Sequence, residues 1–439
     1  MTTVAVTALE MAGRAFVAIG LILAAWSLAM AQEDDPQQAP EVRRLVRQLD
    51  DPQLATRDAA EARLIEMGPT VLAHLPTADA EMSAEVAHRL DRIRQTLLAN
   101  QAQQSLQPTQ ITLQARQMPL SEILTTIEEQ TGNPLIDYRG QFGQQAPDPE
   151  LTLTFEQTPY WRAMDEMLDA AGMTTYHFAG KEGLALVGTL PNQLPRLGRA
   201  SYSGIFRIEP ARITAQRDLR SREGDSIDLV LEIAWEPRVH PIAIAQPLET
   251  LIAVDARGEP LAFADGQAVM EVPVQRGSTA VEIAIPMKLP PRDIQQIMKL
   301  TGTFQSLVPG KVEEFRFAEL ADSSGSEQRK GKTTILVENV RKNNDIWEVR
   351  MRARYEDAAG ALESHRGWVF NNEAYLETAD GEKIQPQGFQ TTAQTQTDVG
   401  VAFLFELPDG PEGLSFVYKT PTVFARLPIE YELSDIPLP

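Results

Sequence analysis

The spacing of apolar residues along this chain changes character twice, and each change predicts a different architecture. From Glu41 to Asn100 apolar positions recur at three- and four-residue steps: Val42, Leu45, Val46 and Leu49, then Ala59, Ala62, Leu64 and Ile65, then Val86, Leu90, Ile93 and Leu97. That spacing puts each set on one face of a helix, with Asp50-Asp51-Pro52 and Gly68-Pro69 as helix ends or turns. The Gln-rich stretch from Asn100 to Pro108 has little to bury and is expected to be a linker.

From Gln110 to Val187 two periods alternate. Ile111 and Leu113 predict a strand, and Leu120, Ile123, Leu124 and Ile127 a helix that stops near Gly132-Asn133-Pro134. Leu135 and Ile136 make a short strand, a polar loop covers Arg139 to Glu150, and Leu151, Leu153 and Phe155 alternate again. Thr158-Pro159 opens a second helix with Trp161, Met164, Met167 and Leu168 inward, closed by Gly172. Tyr176 and Phe178, then Leu184 and Leu186, suggest a hairpin around Gly180.

After a Pro-rich hinge at Leu190 to Pro195 the pattern is β in character. Short runs at Ile227–Trp235, Thr250–Val254, Val269–Val274 and Thr279–Met287 alternate with Gly, Pro and Asp turns. Asp322 to Ser326 breaks the series, which resumes at Thr333–Val340, Ile346–Tyr355, Gly367–Phe370, Val399–Leu407, Leu414–Tyr418 and Ile429–Leu433. Two sandwich-like β units, residues 198–321 and 330–439, are the economical reading. The runs are too short, and lack the ~10-residue alternation, for lipid-facing barrel strands.

The first two helices, LVRQLDDPQLATRDAAEARLIEMGPTVLAHL, resemble a single HEAT-like repeat, too few for a solenoid and so expected to cap or dock. The phrases ITLQARQMPLSEILTTIEEQTGNPLI and LTLTFEQTPYWRAMDEMLDAAGMTTY resemble the secretin and TonB short N-terminal domain, over about one fifth of the chain. In that family the domain is a small periplasmic interaction module. Neither a secretin pore region nor a plug and receptor barrel follows here, so the resemblance does not extend to secretion or iron uptake. The fold class expected is multidomain α+β: a helical HEAT-like cap (residues 32–100), a small βαββαβ-type module (108–190) and the two all-β units.

Ahead of all this, Arg14 precedes an uncharged apolar run from Ala15 to Ala31 that ends in Ala29-Met30-Ala31, and the chain then turns acidic at Gln32. This is the pattern of a signal peptide over residues 1–31, cleaved before Gln32. An uncleaved anchor is the alternative, since the run approaches the ~17–25 residues that span a bilayer. Both place the remainder outside the cytoplasm, in the periplasm or beyond. At 43% apolar and 23% charged residues, the 439-residue chain is ordinary globular protein. Its formal net charge of -21 argues against nucleic acid or anionic lipid as partner. The absence of cysteine excludes disulfides, thiolate metal sites, Cys nucleophiles and a lipoprotein lipid anchor.

Candidate chemistry is sparse. The five histidines, His74, His88, His177, His240 and His365, form no H-x-x-x-H or H-E-x-x-H and read as satisfied surface residues. Gly331-Lys332-Thr333 lacks the upstream glycine of a phosphate loop and precedes a strand, so it reads as a linker with a basic tail. The adjacent carboxylates Asp165-Glu166 and Glu313-Glu314 point apart in a helix or strand and read as solvated faces. No G-x-S-x-G elbow occurs. Trp347, Trp368, Phe370, Tyr375, Phe403, Phe405, Phe416 and Tyr418 read as sandwich core, with a carbohydrate platform as the alternative. No catalytic, cofactor-binding or metal-ligating residue is assigned. The leading expectation is a non-enzymatic envelope adaptor or scaffold that binds another protein. Its competitor is an extracellular carbohydrate-binding or hydrolytic protein whose site is assembled from residues distant in sequence.

Overall fold

The computed structural model describes residues 38–76, 82–217, 219–220, 225–344, 346–356, 366–395 and 397–439. The expected signal segment, with the cleavage expected before Gln32, and His365 lie outside the described residues. The protein is mixed α/β, 24% helix and 45% strand, with several β-sheets. It divides into two compact units, Met1–Leu97 and Leu98–Pro439.

In the first unit α1 (Gln38–Gln48), α2 (Leu54–Glu66), a 3-10 turn (Pro69–His74) and α3 (Ala84–Ser105) as far as Leu97 follow the expected periodicity. Val42, Leu45, Leu49, Leu64, Val71, Leu90 and Ile93 share its core. Arg89, nearly buried, pairs with Glu61 at 2.6 Å and Glu85 at 2.7 Å. The helix α3 departs from expectation at its end, because it runs through the Gln-rich stretch to Ser105 instead of yielding to a linker at Asn100. Gln and Ala lose little side-chain freedom in a helix, and lack of burial alone does not stop one.

The second unit opens with two βα steps built alike: β1 (Gln110–Pro119) and α4 (Leu120–Thr131), then, after β2 (Leu135–Asp137), β3 (Glu150–Pro159) and α5 (Tyr160–Ala171). Gln117 and Gln157 hold equivalent positive-φ positions just before the prolines that start the helices. β4 (Met173–Tyr176) and β5 (Leu184–Gly188) complete the module. β1 and β3 pair antiparallel, while β5 lies between β2, to which it is parallel, and β4. One core takes Ile123, Ile127, Met164 and Leu168 from the helices, Ile111 and Phe155 from the first sheet, and Leu184 and Leu186 from the second.

The β region comprises β6 (Ser201–Ser203), β7 (Phe206–Gln216), β8 (Ser226–Trp235), β9 (Ala243–Pro247), β10 (Ile252–Val254), β11 (Pro260–Leu261), β12 (Val269–Pro273), β13 (Ala280–Lys288), β14 (Gln296–Phe317), β15 (Glu327–Lys330), β16 (Thr333–Asn343), β17 (Ile346–Tyr355), β18 (Ala374–Glu377), β19 (Lys383–Ile384), β20 (Gly388–Gln394), β21 (Asp398–Glu406) and β22 (Ser415–Pro437). Among the described residues these form a four-stranded sheet, β13-β8-β7-β6, a five-stranded sheet, β15-β16-β17-β21-β20, and an eight-stranded sheet through β11-β10-β14-β22-β18-β19, with β9 and β12 joined on at β14.

The eight-stranded sheet serves two cores. Ile297, Leu300, Phe304, Tyr431 and Leu433 pack with Ile208, Leu231 and Trp235 of the four-stranded sheet. Phe315, Phe317, Phe416 and Tyr418 pack with Val337, Met351 and Phe403 of the five-stranded sheet. Both sets lie on the same two strands, β14 and β22, which pair from Gln296↔Pro437 to Phe317↔Phe416. This differs from the expected division at 321/330, because the last strand of the chain supplies the first β core. The two runs expected at Leu414–Tyr418 and Ile429–Leu433 are one strand, broken in sequence only by Pro421 and Pro428. Among the described residues the strand pairing of β22 with β18 covers only Ser415–Tyr418, so Pro421 and Pro428 lie where β22 pairs as a strand with β14 alone.

Two smaller expectations also change. Asp322 to Lys332 is no linker: Gly325 N donates to Val337 O at 2.7 Å, β15 pairs with β16, and Gly331-Lys332 forms the hairpin turn. Gly367–Phe370 lies in a 3-10 helix, Arg366–Asn371, instead of a strand.

Candidate functional site

The module and the four-stranded sheet meet around a buried carboxylate that the sequence reading had assigned to solvent. α5 is apolar around most of its circumference, with Tyr160, Trp161, Ala163, Met164, Met167 and Leu168 buried, so Asp165 on the same helix is buried with them at 0% exposure. A lone carboxylate there would be costly, and three donors satisfy it. Arg196 Nε lies 2.8 Å from Oδ1, while Arg207 Nε and the Tyr202 hydroxyl each lie 2.7 Å from Oδ2. Glu166 beside it is only half-buried, and Glu313 and Glu314 are half-buried on β14.

Around this centre the charges are mutually fixed. Arg207 also meets Glu209 at 2.9 Å, and Arg196 Nη1 donates to the hydroxyls of Thr174 and Thr175. Burial opposes the charge on Arg207, but Asp165 and Glu209 outweigh it and hold its pKa above the ordinary value. Burial and then the Asp165 charge push the Tyr202 phenol up. His177, 3% exposed, bonds Thr279 Oγ1 through Nδ1 at 2.8 Å and turns Nε2 toward Glu232 at 3.4 Å. Burial acts to raise the pKa of Glu232, but His177, with Arg207 and Arg196 behind it, carries it down to about 2. His177 is therefore a buried junction residue, not the surface histidine expected.

A second buried carboxylate fastens the same junction. Glu236, 0% exposed, accepts from Thr109 N and Oγ1, both at 2.9 Å, from Asn133 Nδ2 at 3.1 Å and from Arg238 Nε at 2.8 Å. Trp161 Nε1 donates to Ile205 O at 2.8 Å, and Ala234 and Ala280 of the sheet enter the module's core. The core of the module thus includes residues of the four-stranded sheet.

Beside the network lies a cleft of about 390 Å³ whose lining includes Arg196, Glu209 and Glu232 with Gln144, Thr174 and Thr175. Phe142 and Tyr176 line it too, edge to face at 5.2 Å, with Tyr138 stacked on Tyr176 at 5.9 Å. Phe142 is 53% exposed. Arg196 Nη2 is buried with no hydrogen-bond partner. These residues come from elements far apart in sequence, so no local motif announces them; the readable signal was the position of Asp165 on the apolar face of α5, one helical step from Trp161 and Leu168.

The other candidates are scattered. His74 ends the 3-10 turn and His88 lies in α3 of the first unit. His240 lines a separate cleft of about 300 Å³ with Arg276, Glu373 and Lys419. Trp368, Tyr375, Phe403, Phe405, Phe416 and Tyr418 are buried, and Trp347 and Phe370 half-buried, as core side chains. Among the described residues no three His, Cys, Asp or Glu side chains gather as a metal site would require, and no helix is long and apolar enough to cross a membrane. In comparison with known proteins, the chain matches no family model, no curated protein and no solved structure.

Proposed function

We propose that this chain is a non-enzymatic adaptor or scaffold of the cell envelope, periplasmic or secreted, that binds another protein through its small α/β module. In this reading the first unit is a HEAT-like helical cap, residues 108–190 are a short N-terminal domain of the secretin and TonB kind, and the β layers are two sandwich-like bodies that share the β14–β22 ribbon. The order of strands and helices in the module supports the second assignment.

One observation carries the functional reading. Of the twelve large apolar side chains left exposed among the described residues, five fall on the module and the segment leaving it: Phe142, Phe178, Leu190, Leu194 and Leu197. Apolar surface concentrated in this way marks an interaction site more often than scattered residues do. The segment is also held in place, since Asp169 accepts the backbone N–H groups of Arg196 and Leu197 at 2.9 and 3.0 Å. A segment already held in this way costs a partner little ordering to bind.

The test uses the full chain. Tagged wild type and a Leu194→Ser/Leu197→Ser variant are used to capture proteins from an envelope extract. The adaptor reading expects at least one protein retained by wild type and lost by the variant; identical captures would remove it. A second reading, carbohydrate binding, is favoured by the cleft, where the exposed Phe142, the half-buried Tyr176 and two carboxylates share one lining.

A further inference from the structure

We propose that the cleft between β4, the segment Leu190–Arg196 and the four-stranded sheet binds one ring of a neutral saccharide. It deepens the carbohydrate-binding reading and is independent of any protein partner.

The lining presents hydrogen-bond donors and acceptors side by side. Glu209 and Glu232 bring carboxylates to the lining, and Arg196 a guanidinium. A vicinal diol donates through one hydroxyl and accepts through the other, so it can bridge the two kinds of group. An ammonium ligand would use only the carboxylates, and a phosphate only the guanidinium. Arg196 supplies the more specific indication. It is 6% exposed, with its Nε fixed by Asp165 and its Nη1 by Thr174 and Thr175, so the guanidinium is ordered before a ligand arrives.

The wall supplies the apolar complement. Phe142 is fixed edge-on against Tyr176 and remains 53% exposed, so it offers a ring against which the C–H face of a pyranose can lie. The cleft, at about 390 Å³, is of small-molecule size. Charge selects among sugars. In the lining, the carboxylates of Glu209 and Glu232 outnumber the guanidinium of Arg196, so an acidic sugar would meet like charge.

The experiment is saturation-transfer NMR and titration of the full chain with D-glucose, D-galactose, D-mannose and N-acetyl-D-glucosamine. At least one is expected to receive transfer and to saturate. Phe142→Ala should weaken it about 3- to 10-fold, whereas Phe142→Trp, which keeps the platform, and Phe389→Ala, which removes an exposed ring elsewhere, should leave it unchanged. No transfer to any of the four sugars at about 50 mM overturns the proposal, as does an unchanged affinity in Phe142→Ala or an equal loss in Phe389→Ala. Glu232→Gln, checked for a native circular dichroism spectrum, should also weaken binding, and binding unaltered by it counts against the carboxylate lining. Sugar binding that survives Leu194→Ser/Leu197→Ser, with no protein captured by wild type, would support the site while ending the adaptor reading. Capture of a partner with no sugar bound would do the reverse.

Discussion

Asp165 and Arg207 meet at 2.7 Å with both side chains fully excluded from water, one on a helix of the module and the other on the sheet beside it. Removing one partner of such a pair strands the other charge in a medium that solvates it poorly. Asp165→Ala is therefore expected to destabilise the second unit by about 3–5 kcal/mol, and Asp165→Leu combined with Arg207→Met by less than the sum of the two single changes. Denaturant unfolding followed by tryptophan fluorescence measures both, and an additive double variant would show that the two residues are not coupled.

Glu232 sets a pH dependence with a definite sign. Its carboxyl is held at about 2 in the folded protein against an ordinary value of 4.5, so the folded state favours the ionised form. The stabilisation is present above the unfolded value and is lost as pH falls from about 4.5 toward 2, a contribution on the order of 3 kcal/mol. The difference in stability between wild type and Glu232→Gln should shrink across that window. A difference that stays constant from neutral pH down through it would contradict the pairing with His177.

Gly277 permits a close approach that no other residue allows. Its φ is +73°, and a Cβ there would lie 2.5 Å from the backbone carbon of Gly180 in the β4–β5 hairpin. Gly277→Ala is expected to cost about 1–3 kcal/mol and to raise amide hydrogen exchange in Gly180 to Glu182. Unchanged exchange in the hairpin would mean that the two loops do not depend on each other.

The β14–β22 ribbon predicts an effect at a distance along the chain. Deleting residues 424–439 removes Ile429, Tyr431, Leu433 and Ile436 from the core that contains Ile208 and Leu231, so the region around Trp235 should lose its fixed packing. Each of these fully buried apolar side chains contributes roughly 1.5–3 kcal/mol, more than a marginally stable fold can lose four times over. A near-ultraviolet circular dichroism spectrum of the truncated chain that retained wild-type tertiary signal would refute the shared core.

Trypsin offers a simpler check on the hairpin. Arg329 and Lys330 lie in β15, paired with Thr334 and Thr333 of β16, and Lys330 Nζ donates to Glu314 O. Early cleavage at either residue under native conditions would restore the linker expected from the Ser- and Gly-rich sequence.

What the sequence determined by itself was local. Three- and four-residue apolar spacing predicted the helices of the first unit and of the module, and alternation with Gly and Pro punctuation predicted most strands, because both depend on which side of an element meets the core. It also predicted that the C-terminal aromatic residues fill a core. Where the expectation failed, the deciding partner was remote. Asp165 looked like a solvated helix position until Arg196 and Arg207 arrived from beyond the module, and His177 until Thr279 and Glu232 did. Leu414–Tyr418 and Ile429–Leu433 were separate runs in the sequence because their continuity is fixed by pairing with β14, not by the residues between them. The cleft was invisible for the same reason. A buried charge, a shared strand and a concave surface are properties of contacts between segments far apart in sequence, and only the tertiary structure brings those segments together.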